Sequence, residues 1–228
     1  MIGIYGGTFD PIHFGHLRSA LEVVERFALS QVLMIPSAQP PHRETPQVAT
    51  KHRWKMLCLA LAGQDLLRAD DREIQREGPS YTYDTLAEIR AEVGDTPLCL
   101  IQGGDVFAGL ESWHRWQELL GLAHIFVMRR AGEPVKWDES VKQHYGNAVV
   151  HDRTKLFASP AGYIHELDVT PMQISASDIR HRLLENKSIR YLMPDSVLAY
   201  IEQNQLYQRA LGVQRALGVQ RGSRVQNG

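Results

Sequence analysis

Apolar residues along the chain alternate between strand-like runs and helical spacing. Ile2, Ile4 and Tyr5 form a short apolar run that ends at Gly6-Gly7, and a helical period begins after Gly15, predicting strand, glycine turn and a helix over about His16–Ala28. Gln31–Pro36 reads as a buried strand stopped by proline, completing a right-handed βαβ unit. Trp54, Leu57, Cys58 and Leu61 mark an amphipathic helix over Thr50–Ala62, and Leu66–Ala69 reads as a third strand. Gly78-Pro79 is a turn, after which Ser80 or Thr82 can cap a helix carrying Leu86 and Ile89. Further strands are expected at Leu98–Ile101, Ala123–Met128 and Tyr163–Leu167, a serine-led helix at Ile174–Leu184 and a short helix at Pro194–Asn204. The alternation predicts an α/β fold: a Rossmann-like open, mostly parallel sheet with helices on both faces and a small C-terminal helical part. Ala131–Ser159 is polar and weakly periodic and yields no element, while Asp70–Glu77 reads as a charged, solvated surface without chemistry.

Length suits one domain, expected over 1–208. A tail over 209–228 carries a doubled hexapeptide, Ala210–Arg215 and Ala216–Arg221, and is expected to be disordered and without assigned function. A composition of 43% hydrophobic and 22% charged residues suits a globular core, and a formal net charge of -1 argues against a general nucleic-acid binder. Any phosphate site must therefore be local. No apolar run reaches the roughly 18 residues of a membrane span, so no membrane partner is expected. Cys58 and Cys99 lie in apolar runs without metal or redox spacing and read as buried free thiols. With no basic leader ahead of the first strand, the expectation is a cytoplasmic, reducing compartment.

The chemistry concentrates at the first turn. Backbone N–H groups of Gly6, Gly7 and Thr8 near a helix start suit a phosphate, and His13 and His16, three apart, can face one side as an imidazolium pair. Gly15 between them has no Cβ and lets a ligand or backbone approach closely. His42-Arg43, in a proline-rich loop leaving the second strand, can offer cationic donors or be a solvated pair. Asp105, after the Gly103-Gly104 turn, can hold a ribose hydroxyl, orient a metal-bound phosphate or cap the next helix. Trp113 and Trp116 read as one helical face in the core, or as an indole open to a flat heteroaromatic ring. Arg129-Arg130 ends a strand at the ligand edge. The segment from Ser175 supplies hydroxyls, N–H groups and Arg180 for another anion site, or a plain serine cap.

The run Gly6-Gly7-Thr8-Phe9-Asp10-Pro11-Ile12-His13-Phe14-Gly15-His16 resembles the GGTFDPxHxGH signature of the nucleotidyltransferase superfamily that includes bacterial nicotinate-nucleotide adenylyltransferase. The resemblance extends to Pro40-Pro-His-Arg43, Pro79-Ser-Tyr-Thr82, Gly103-Gly-Asp105, Trp113, Arg129-Arg130 and Ile174–Arg180, covering about Met1–Tyr207. It implies transfer of AMP from ATP, accompanied by Mg²⁺, to nicotinate mononucleotide in NAD biosynthesis. By the resemblance, His13, His16, His42, Arg43 and Arg180 serve catalysis. Gly6, Gly7, Thr8, Phe9, His16, Gly103, Asp105, Ile174, Ser177 and Arg180 surround ATP. His42, Arg43, Tyr81, Thr82, Asp105, Trp113 and Arg129 surround nicotinate mononucleotide. Ala176 stands where the family often has Ser or Thr, so that side chain is given no contact. No metal ligand set is assigned to the protein, and a homo-oligomer is left open.

The same motif serves nicotinamide-nucleotide, pantetheine-phosphate and cytidylyl transfer, and a non-catalytic nucleotide sensor would keep a similar pocket. A dehydrogenase fits worse, because the first turn lacks G-x-G-x-x-G and its partner acid.

Overall fold

The computed structural model of the chain describes residues 1–41, 45–130 and 132–208. Six strands, β1 (Ile2–Gly7), β2 (Gln31–Pro36), β3 (Leu67–Ala69), β4 (Leu98–Gly103), β5 (His124–Arg130) and β6 (Ile164–Val169), form one sheet. Their order is β3-β2-β1-β4-β5-β6, with every pairing parallel. Between and after them lie α1 (Phe14–Phe27), α2 (Thr50–Leu61), α3 (Arg72–Gln75), α4 (Thr82–Val93), α5 (Gly104–Phe107), α6 (Glu139–Tyr145), α7 (Arg153–Ala158), α8 (Ala176–Leu184) and α9 (Asp195–Gln203).

A parallel sheet must be covered on both faces, and the side-chain alternation along each strand divides the core in two. Val32, Met34, Cys99, Ile101, Phe126 and Met128 pack with α1, α2, α8 and α9, whereas Ile4, Ile35, Leu98, Leu100, Ile125 and Val127 pack with Leu86, Phe107 and Val141. On α1 the buried residues Leu17, Ala20, Val23, Val24 and Phe27 make the inward stripe. Each large member stabilises the fold by about 1.5–3 kcal/mol through burial. Ala28, left-handed at φ 46, ends the helix with its N–H on the Val24 carbonyl.

Three expectations change. The polar stretch after residue 131 contains α6 and α7, begun by Asp138 and Asp152, whose carboxylates accept the N–H groups of Ser140 and Thr154 at 2.9 Å each. The 70–77 run is not bare surface: Arg72 pairs with Asp70 and Glu92, Arg76 pairs with Glu88, and Glu73 is buried in α3. Neither Ser80 nor Thr82 caps α4. Tyr81 holds that position without a side-chain cap, and Ser80 Oγ instead accepts the N–H groups of Ala38 and Gln39 at 2.9 and 3.1 Å. Of the two thiols, Cys99 is buried and Cys58 half-buried. The doubled hexapeptide lies outside the described residues.

Candidate active site

The strand order reverses direction between β1 and β4, and both strands run into glycines there, Gly6-Gly7 and Gly103-Gly104. Open α/β sheets bind ligands at such a switch point, beyond the carboxyl ends of the strands. A cavity of about 250 Å³ opens there. One wall carries Gly6, Gly7, Thr8 and His16; the other carries Ser80, Tyr81, Thr82 and Trp113. A Cβ at Gly6 would meet nothing within 4 Å, so the backbone is open to a ligand.

Behind the glycines the turn is held rigidly. Phe9 is buried in the left-handed region at φ 46, a strained conformation for a bulky residue that persists only where the surroundings enforce it. Arg53, 1% exposed, supplies part of that enforcement: Nη1 donates to the Thr8 carbonyl at 2.7 Å and Nη2 to Thr50 Oγ1 at 2.9 Å. Asp10 supplies the rest. Its carboxylate accepts the Gln47 N–H at 2.8 Å and the Tyr207 hydroxyl at 2.7 Å, and its carbonyl accepts Arg180 Nη1 at 2.7 Å. Burial, then the charge of Asp10, raises the Tyr207 phenol above its ordinary value, and burial lowers Arg53.

The histidines divide their roles. Their rings stack with centroids 3.8 Å apart and planes 29° apart, but only His16 lines the cavity. His13 lies underneath, 5% exposed, and burial pushes its imidazole down to about 4. At neutral pH it is uncharged, so an imidazolium pair is not what the site contains. Gly15 explains the stack, since a Cβ there would come within 3.0 Å of His13 Cε1 and Nδ1. What comes nearest to Gly15 is the His13 ring, followed by the Ile174 carbonyl, and not a ligand. Edge contacts from Tyr5 and Phe9 hold His16 from the other side. The α1 terminus is less open than its sequence suggests, because the Phe14 N–H donates to the Leu192 carbonyl at 2.9 Å.

Arg180 reaches the same turn from α8, donating also to Ser177 Oγ at 3.3 Å; Ser175 caps that helix by accepting the Asp178 N–H. The Ile174 carbonyl would lie 3.4 Å from a Cβ at Gly15, so the start of α8 abuts the histidine turn. Asp105 is exposed in the first turn of α5, whose cap position is Gly103. Trp113 and Trp116 do not share a helix. Trp113 is extended between two 3-10 turns, Leu110–Ser112 and Trp116–Gly121, and this break turns its half-buried indole to the cavity wall. Arg129 stands apart: its guanidinium pairs with Asp168 at 2.8 Å and Glu166 at 3.4 Å, and it is not among the cavity-lining residues. His42 and Arg43 lie outside the described residues.

Sequence reasoning missed Arg53, Glu73, Gln102 and Tyr207. Arg53 had a signal, since it falls four residues before Leu57 on the apolar stripe of α2. Glu73 lines the cavity with Oε1 accepting the Thr85 hydroxyl at 2.7 Å, and burial raises its carboxyl. Its signal was masked by the charges around it.

A glycine turn at the switch point of a parallel sheet, an imidazole on the cavity wall beside it and an arginine from a later helix bonded to its backbone make up a nucleotidyltransferase-like arrangement. The family model described as cytidylyltransferase-like matches residues 4–182. The chain is 48% identical over 210 residues to the probable nicotinate-nucleotide adenylyltransferase of Methylococcus capsulatus, covering 92% of this chain and 100% of that protein. It is 47% identical over 208 residues to the protein of the same name from Pseudomonas putida, covering 91% and 94%. The chain belongs to the nicotinate-nucleotide adenylyltransferase family. In fold it is similar to the Plasmodium falciparum nicotinic acid mononucleotide adenylyltransferase complexed with NaAD, with a TM-score of 0.68 at 20% identity over 90% of this chain and 96% of that one. No helix of the described residues is long and apolar enough to cross a membrane.

Proposed function

We propose that the protein transfers AMP from ATP to nicotinate mononucleotide, giving nicotinate adenine dinucleotide and pyrophosphate. The observation that carries this reading is the two-walled cavity, with a phosphate cradle on one side and an uncapped helix start beside an indole on the other. The close relatives' shared name supports it.

The acceptor's 5′-phosphate is mostly dianionic at neutral pH, with a second pKa of about 6, and needs no general base. One of its oxygens bonds to the α-phosphorus as the bond from that phosphorus to the bridging oxygen of the β-phosphate breaks, and that electron pair leaves with pyrophosphate. The work of the site is to hold two polyanions in line and stabilise the growing charge. His16 Nδ1 is buried, so the tautomer with the proton on Nε2 is the one that donates an N–H to a phosphate oxygen, and the neutral His13 ring beneath fixes its place. Backbone N–H groups from Gly6 to Thr8 receive the triphosphate, and Arg180 with Ser177 closes on it. Mg²⁺ enters as part of the MgATP substrate, bound through phosphate oxygens and water. Gly103 and Asp105 face the ribose, and Phe9, whose ring is buried, and Ile174, which does not line the cavity, support the nucleotide from behind.

On the opposite wall, Trp113 stacks on the pyridine ring. The first N–H groups of α4, around Tyr81 to Tyr83, favour the nicotinate carboxylate over the neutral carboxamide. His42 and Arg43 assist the phosphates. A contact from Arg129 to the acceptor would require it to give up the ion pairs with Asp168 and Glu166, which makes it the least favoured of these contacts. The test is pyrophosphate release with MgATP and a panel of acceptors. Fastest turnover with nicotinate mononucleotide is expected; equal kcat/KM with nicotinamide mononucleotide, or preference for phosphopantetheine or for CTP as donor, overturns the assignment.

A further inference from the structure

Gln102 is the penultimate residue of β4, just before Gly103, and it is 4% exposed on the cavity wall. Both ends of its carboxamide, Nε2 and Oε1, are buried with no hydrogen-bond partner among the described residues. A buried amide left in that condition destabilises a protein, so folding alone does not account for a glutamine here.

Its direction follows from the pleat. Side chains alternate along β4: Leu98 and Leu100 pack on the core face shared with Leu86 and Trp113, while Cys99 and Ile101 pack on the opposite face. Gln102 therefore shares the face of Leu100, toward the indole and α4 and away from α1, which carries His16. Gln102 thus lines the cavity with Ile4, Ile35 and Leu100, and with Glu73 and Thr85, whose side chains bond one another. A carboxamide offers two N–H donors and a carbonyl acceptor. A planar ring bearing a carboxylate supplies the partner that the fold withholds.

We propose that Gln102 is a specificity-determining residue of the acceptor site, donating Nε2–H to the polar substituent of the pyridine ring. This rests on the adenylyl-transfer reading above. An active site keeps a polar group that is unsatisfied in the free protein because the ligand satisfies it. The two consequences have opposite signs, which separates a ligand contact from a structural one.

The experiment compares Gln102→Leu and Gln102→Glu with the unmodified protein by steady-state pyrophosphate release and by thermal unfolding without ligands. For Gln102→Leu the expected result is a rise of about tenfold in KM for nicotinate mononucleotide, with KM for ATP unchanged, as for loss of one hydrogen bond to a charged group. The same variant should unfold at a Tm about 2 °C or more higher, because the unsatisfied amide is gone. Gln102→Glu should raise the acceptor KM further than Gln102→Leu, since it sets like charge against the carboxylate. An unchanged acceptor KM in Gln102→Leu overturns the proposal, as does a lowered Tm with KM values for both substrates shifted alike. If the unmodified protein turns over no nicotinate mononucleotide, it is the adenylyl-transfer reading that has failed, and the ligand-free Tm still reports whether Gln102 is structurally unsatisfied.

Discussion

Replacing Gly15 by alanine adds one methyl group at the narrowest point of the site. That carbon would lie 3.0 Å from His13 Cε1 and Nδ1, so the imidazole must give by a few tenths of an ångström, while the Ile174 carbonyl at 3.4 Å is in ordinary contact. His13 is 5% exposed and has His16 stacked on it, so its shift is passed to the ring at the cavity wall. Overpacking of this size costs about 1–3 kcal/mol. Alanine in a helix offsets up to about 1 kcal/mol of that through its higher propensity. The net change in stability is therefore small, about 1 kcal/mol, and Tm should fall by only a few degrees. Catalysis should respond more, because misplacement by about 1 Å costs on the order of 100-fold, so a few tenths of an ångström passed to His16 should cost several-fold to about tenfold in kcat. Pyrophosphate release under substrate saturation, with thermal unfolding alongside, measures both. A Gly15→Ala protein with unmodified kcat and kcat/KM would refute the claim that this glycine exists to seat the histidine stack.

Stability should fall as pH drops from about 6.5 to about 4, because the unfolded chain binds a proton at His13 over this window while the folded protein, held at about 4, does not. The full effect is about 3 kcal/mol. Urea unfolding across that range should show a shallower slope for His13→Asn, leaving the smaller same-direction contributions of His124 and His165, whose imidazoles burial also lowers. Arg90 ties the amino-terminal edge of the sheet, donating to the carbonyls of Gly94, Thr96, Leu122 and Pro160 at 2.6–3.0 Å. A lysine cannot reproduce that fork, so Arg90→Lys should lose about 2–4 kcal/mol in denaturant unfolding while kcat at 25 °C stays unchanged, since the edge is opposite the cavity.

The sheet was legible because β1, β2 and β4 are apolar runs stopped by glycine or proline, and the first turn because a strand ending in Gly6-Gly7 admits few other readings. What escaped was decided by partners distant in sequence. Asp10 looks like one letter of a motif, yet its carboxyl gathers groups from residues 47 and 207. Nothing near Tyr207 reveals that its hydroxyl ends at the first turn. His13 and His16 have the same side chain and equal claim to a phosphate; only packing depth makes one neutral and hidden and the other a wall of the cavity. Trp113 was ambiguous because its orientation depends on a break between two 3-10 turns, with Arg115 left-handed at φ 54, which helical spacing does not reveal. Arg129 carried the charge expected at a ligand edge, but residues on β6 forty positions or so later neutralise it.

The proposed role of His16, seated on an uncharged His13, is to stabilise charge on the reacting phosphates. Its most direct test is single-turnover formation of the dinucleotide by His16→Ala with saturating MgATP and nicotinate mononucleotide. A rate at least about 100-fold below that of the unmodified protein is expected, with binding of both substrates within a few-fold. A single-turnover rate equal to that of the unmodified protein would contradict it.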